Sequence, residues 1–155
     1  MSSFFLDTSA LVKRYKSEIG TAWLQNLTDP STGHRLILSE ISLAEVAAAL
    51  AAAHRIPNGI SQQQRDRALD LFLRHCLVEY DLVAVSRLVI DRAVDLTQNQ
   101  KLRGCDAVQL ATALIVNDTL VAAGLTPLTF VAADNDLLAA AQGEDLATEN
   151  PNLHP

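Results

Sequence analysis

The chain has 155 residues, of which 49% are hydrophobic and 19% charged, with a formal net charge of −6. That length favours one domain with a full core, and that apolar content excludes a disordered chain. The acidic balance does not favour a polyanionic partner, but it is uneven: all twelve Lys and Arg stand at or before Arg103, while residues 104–155 carry seven acids.

Carboxylates that bind a cation also count as negative in the formal sum, so charge decides little. No apolar run reaches the roughly 18 residues of a membrane span, and no membrane association is expected. The start, Met1 to Asp7, lacks the basic region of a secretory signal. Cys76 and Cys105 share no short spacing and read as two buried thiols of a cytoplasmic protein.

In chain order, Ser2 to Leu6 reads as a short buried strand. A helix is expected over 9–17, with Lys13, Arg14 and Lys16 on its more exposed side. Residues 28–33 (Thr-Asp-Pro-Ser-Thr-Gly) have the chemistry of a loop. Leu36 to Leu38 forms a second strand. An Ala- and Leu-rich helix covers 42–54 and ends in the turn 56–59. Ser61 and Gln64 form a capping box for a helix to about His75. A strand is expected over 77–85, and then Ser86 caps a helix through about Gln98. A helix over 105–117 follows, then a strand over 127–133, a helix over 136–142 closed by Gly143, and an edge strand over 146–149. The alternation predicts an α/β layer fold, with one domain over 1–150 and a tail over 151–155.

Four acids stand at strand-to-helix junctions or helix starts: Asp7, Glu45, Asp106 and Asp134. Each has a plain structural reading. Asp7 and Asp134 suit helix N-caps, Ser42 and Glu45 have capping-box spacing, and Asp106 with Gln109 has a similar form. The joint pattern carries more weight. The helices at 61 and 86 start on Ser, whereas three of the four acidic starts directly follow strands. In an open parallel sheet such junctions gather at the carboxyl edge, where sites form. Acids gathered there repel one another unless a cation intervenes, and hard oxygen donors suit Mg²⁺ or Mn²⁺. The four His residues are scattered and make no zinc motif.

The segments 4–12 (FFLDTSALV), 39–46 (SEISLAEV), 102–113 (LRGCDAVQLATA) and 130–138 (FVAADNDLL) resemble the PIN-domain family, particularly VapC-type ribonuclease toxins. They occur in family order, and residues 149–151 also look like the end of such domains. The resemblance implies an α/β/α sandwich around a mostly parallel sheet of about five strands. It implies an acidic pocket for Mg²⁺ or Mn²⁺, with Asp7, Glu45 and Asp106 as core acids. Asp134 matches the fourth acid, and Asp136 shares or takes that role. The family often has Ser or Thr two residues before the fourth acid; here Ala132 stands there. Ser9 and Thr8 are the polar partners expected in the pocket.

The implied activity is metal-dependent hydrolysis of RNA by the toxin of a type II toxin–antitoxin pair. Lys13, Arg14, Lys16, Lys101 and Arg103 are candidates for guiding the RNA backbone. A small antitoxin and a second copy of the chain are the expected protein partners, with the apolar faces of helices 9–17 and 42–75 as candidate surfaces. Two alternatives compete. A non-catalytic RNA- or protein-binding module has little reason to collect repelling carboxylates. A haloacid-dehalogenase-like phosphatase wants an Asp where Ser9 stands.

Overall fold

A computed structural model describes residues 1–155. The strands are β1 (Ser3–Leu6), β2 (Arg35–Ser39), β3 (Tyr80–Val83), β4 (Thr129–Val131) and β5 (Ala147–Glu149). The helices are α1 (Thr8–Leu11), α2 (Thr21–Leu27), α3 (Ile41–Arg55), α4 (Gln62–Val78), α5 (Arg87–Asn99), α6 (Gly104–Ala122) and α7 (Asn135–Gly143). The five strands form one sheet in the order β3-β2-β1-β4-β5, and every neighbouring pair is parallel. The expected three-layer α/β/α architecture is therefore the observed one.

Alternation along the strands creates the layers. Phe5, Ile37 and Phe130 lie in register on one face and pack against α5, α6 and α7. The rings of Phe5 and Phe130 stack 5.6 Å apart. Leu6, Leu36, Leu38 and Val131 point to the other face, against α1 to α4. From β1 the chain steps outward through β2 and β3. It then returns to the opposite side of β1 as β4. The order reverses between β1 and β4, so the carboxyl ends of these two strands open a crevice.

Several local expectations need correction. The expected helix over 9–17 is only α1, followed by a 3₁₀ turn at Val12–Arg14. The two basic residues of that turn are drawn inward, which ends the regular helix. Lys13 is buried and pairs with Glu18 at 3.7 Å, and Arg14 bonds to the Tyr80 hydroxyl at 2.6 Å and pairs with Glu79 at 2.7 Å. Neither lies on an exposed side. Helix α2 is absent from the sequence reading because its N-cap, Gly20, offers no side-chain signal.

The strand expected over 77–85 is only β3, because α4 continues through Leu77 and Val78, which are exposed. Helix α6 runs past Asn117, whose side chain accepts the Leu128 N–H instead of stopping the helix. It is long and apolar enough to cross a membrane by length and composition alone, but eight of its residues are buried within this fold. Cys76 is buried as expected, whereas Cys105 is exposed because the first turn of α6 faces outward.

The capping box at Ser61 and Gln64 and the Ser86 cap are both present. The last residues dock rather than trail. Pro151 is buried, and the His154 ring stacks on Trp23 with centroids 4.4 Å apart. Gly20, at φ +88°, permits this approach, since a Cβ there would lie 2.4 Å from the Pro151 carbonyl oxygen.

Candidate active site

Asp7 directly follows β1, the central strand, and is 3% exposed. Its backbone N–H extends the ladder by bonding to the Val131 carbonyl of β4. Its Oδ2 accepts from the Ser9 N–H at 2.9 Å and from the Ser9 hydroxyl. The Ser9 hydroxyl in turn accepts the Ala133 N–H at 2.9 Å, tying the β1–α1 and β4–α7 junctions together. Ser9 thus supplies a hydroxyl at a junction where Ala132 has none.

Burial pushes the Asp7 carboxyl up to about 6. The Ser9 bonds oppose this, while Glu45 and Asp106 push it further up. Carboxylates from three separate elements therefore share one electrostatic environment. Glu45, on α3, is also raised, first by burial and then by Asp106; Thr8 and Gln109 pull it down. Its Oε1 is buried without a hydrogen-bond partner.

Asp106 lies in the first turn of α6 and pairs with Arg103 at 3.0 Å. Asp134 caps α7, accepting the Leu137 N–H at 3.0 Å. Asp106, Asp134 and Asp136 line one cavity of about 440 Å³ with Lys101, Arg103 and Leu137. Asp136 sits at its exposed rim, 3.5 Å from Lys101. Asp106 thus links two halves of the site: Asp7 and Glu45 on one side, Asp134 and Asp136 on the other.

The plain structural readings divide. Asp7 and Asp134 do cap helices. Glu45 does not, because α3 starts without a side-chain cap and Ser42 is turned inward. Asp106 does not cap either, since Arg103 is the N-cap of α6. Of the basic candidates, Lys101 and Arg103 stand at the acidic cavity. Lys13 and Arg14 are directed into the fold, and Lys16 lines a different hollow between the 3₁₀ turn and α4.

Gln109, given only a capping role with Asp106 from the sequence, makes different bonds in the structure. It is fully buried, and its amide nitrogen donates to Thr8 Oγ1 at 3.1 Å and Ser42 Oγ at 3.0 Å. Its signal was available: a lone carboxamide in the apolar stretch Ala107 to Ala111.

No group of three or more His, Cys, Asp or Glu side chains is placed so that it could hold a metal ion. The donor set still fits a hard divalent cation in kind. All its donors are carboxylate oxygens, and the partnerless Glu45 Oε1 is a buried acceptor without a donor. Arg103 provides positive charge at Asp106 in this arrangement.

A PIN domain model matches residues 4–143. No curated protein matches the chain. Among solved structures, a toxin–antitoxin complex from Klebsiella pneumoniae is similar at 20% identity and TM-score 0.61, covering 97% of this chain and 98% of that one. VapBC2 from Rickettsia felis, bound to a promoter DNA fragment, aligns at 16% identity and TM-score 0.64, covering 96% and 98%. VapC20 from Mycobacterium tuberculosis, a sarcin–ricin-loop-cleaving toxin, aligns at 17% identity and TM-score 0.58, covering 88% and 94%. With the family model spanning most of its length, the chain belongs to the PIN-domain family.

Proposed function

We infer that this protein is a divalent-cation-dependent ribonuclease acting as the toxin of a toxin–antitoxin pair. The observation that carries the reading is the electrostatic meeting of Asp7, Glu45 and Asp106, which come from three separate parts of the chain. The similar VapC20, a toxin that cleaves RNA, supports the substrate class. The toxin–antitoxin complexes of the other neighbours support a small antitoxin partner. A homodimer is part of the same reading; light scattering that returns a monomer at micromolar concentration would count against it.

Asp7 and Asp106 would hold the cation, Glu45 would bind it through water or take a proton from that water, and Asp134 with Asp136 would complete the pocket. A bound Mg²⁺ or Mn²⁺ supplies a nucleophile at neutral pH and offsets charge developing on the phosphate. Ser9 fixes the orientation of Asp7 by donating to Oδ2. Lys101 and Arg103 put positive charge at the cavity mouth, where a phosphate backbone would approach. No Ser, Cys or His nucleophile is required.

Metal removal is the direct test. Purified protein should cleave RNA with added Mn²⁺ or Mg²⁺, stop in EDTA, and recover when the ion is returned. Undiminished cleavage in EDTA overturns the metal-dependent reading, and intact RNA under every condition leaves a non-catalytic binding module.

Arg103 gives a second, two-signed prediction. Its ion pair is largely exposed on the Arg side and screened by solvent, so it holds Asp106 only weakly. Arg103→Ala removes a cation that competes at Asp106 and should tighten Mn²⁺ binding, by up to about fivefold. It should also raise KM for RNA. Calorimetric Mn²⁺ titration and steady-state kinetics check the two signs; weaker Mn²⁺ binding would show that Arg103 supports the acids rather than competing for them.

A further inference from the structure

We propose that Gln109 is a positioning residue whose buried amide locks the helix starts carrying Asp7, Glu45 and Asp106 into one register. The inference rests on the ribonuclease reading for its purpose but on geometry for its content. Gln109 lies one turn after Asp106 on α6. Its two acceptors come from two other elements: Thr8 directly follows Asp7, and Ser42 is one turn before Glu45. One carboxamide thus joins α1, α3 and α6 at the very turns that carry the three acids. A primary amide has two N–H donors in one plane, and here they serve one hydroxyl on each of two helices.

Stability alone does not account for this residue. Gln109 has no exposure, and its surroundings on α6 include the buried Ala107, Leu110, Ala111 and Ala113. Its own Oε1 is buried without a hydrogen-bond partner, so the amide is only half satisfied. Burying such a group is unfavourable where an apolar side chain would serve the core. What the amide adds is direction. Its bonds act across 101 and 67 residues of sequence, and they tie α6, whose buried apolar residues belong to one core cluster, to α1 and α3, most of whose buried apolar residues belong to the other.

The test uses the full chain and two variants. Gln109→Leu removes both donors at similar volume. The triple variant Thr8→Val, Ser42→Ala, Gln109→Leu replaces the whole network by apolar groups and leaves no hydroxyl stranded. Mn²⁺ affinity is read from the free-Mn²⁺ electron paramagnetic resonance signal, stability from the thermal midpoint, and catalysis from kcat and KM on RNA. In Gln109→Leu, Mn²⁺ affinity should fall about tenfold or more, as for other groups that orient metal ligands. The value of kcat should fall with it, while KM stays within about twofold, since Gln109 is fully buried. The triple variant should recover the thermal midpoint but not the Mn²⁺ affinity.

Wild-type Mn²⁺ affinity in a folded Gln109→Leu overturns the proposal. So does a triple variant that regains both midpoint and affinity, since that outcome assigns Gln109 to packing alone. If Gln109→Leu does not fold, the triple variant decides. A wild-type protein that binds Mn²⁺ but leaves RNA intact fails the ribonuclease reading alone, and the affinity comparison still judges Gln109.

Discussion

Asp7→Asn and Asp106→Asn should each reduce RNA cleavage by about a thousandfold or more. The estimate follows from what these oxygens would do. Charge stabilisation by a bound divalent ion contributes several kcal/mol to the transition state, and each 1.36 kcal/mol is a factor of ten. An amide keeps the shape of the carboxylate and one acceptor oxygen, but it loses the charge that holds the ion. The fold should survive: an Asn at position 7 can still cap α1, and Asp106 caps nothing. Single-turnover cleavage by circular-dichroism-matched proteins measures the effect. Activity within tenfold of wild type for either variant would remove that residue from the mechanism.

The second large effect runs the other way, toward stability. In metal-free protein the Asp7 carboxyl ionises at about 6, against an ordinary value of 3.8, first because it is buried and further because Glu45 and Asp106 face it. Below pH 3.8 it is protonated in both folded and unfolded chains and has no effect on stability. Between 3.8 and 6 the unfolded chain releases the proton while the folded one retains it. Stability therefore falls as pH rises through this window, and the loss persists above it. A shift of this size corresponds to roughly 3 kcal/mol. Asp7→Asn removes the effect, so in EDTA at pH 7.5 the variant should be more stable than wild type by about 2–3 kcal/mol. At pH 3.5 the two should converge. Saturating Mn²⁺ should reverse the order, because only the wild type gains from binding. Urea melts across pH 3.5–8 with and without the ion provide the check. A less stable variant in EDTA at pH 7.5 would mean that the Ser9 hydrogen bonds outweigh the burial of the charge.

Both effects concern residues that the sequence already marked, and the reason is local. A strand such as Ser3–Leu6 buries alternate side chains on opposite faces, so the chain must leave the sheet at its first charge, Asp7. The same logic located the junctions after β2 and β4 and the Ser caps of α4 and α5. What pattern could not supply was long-range choice. Nothing near Lys13 or Arg14 announces that Glu18, Tyr80 and Glu79 will draw them inward and cut α1 short. The alternation that suggests a strand from Leu77 is overruled by a little under one further turn of helix, ending at Val78. The order β3-β2-β1-β4-β5 depends on which strands pair, not on where they lie in sequence. Gln109 illustrates the limit best: its partners are 101 and 67 residues away, so its role becomes visible only when three helices meet.

The ties between Asp7 and Val131, and between Ser9 and Ala133, have a consequence for synthesis. The strand that completes the surroundings of the first acid leaves the ribosome more than 120 residues after that acid does. Pairings of such long separation form late in folding. A nascent chain interrupted between Asp106 and β4 would carry three of the four acids and no assembled crevice. If the protein is the ribonuclease inferred above, a growing ribosome-bound chain would be harmless to the RNA around it until β4 has emerged and paired.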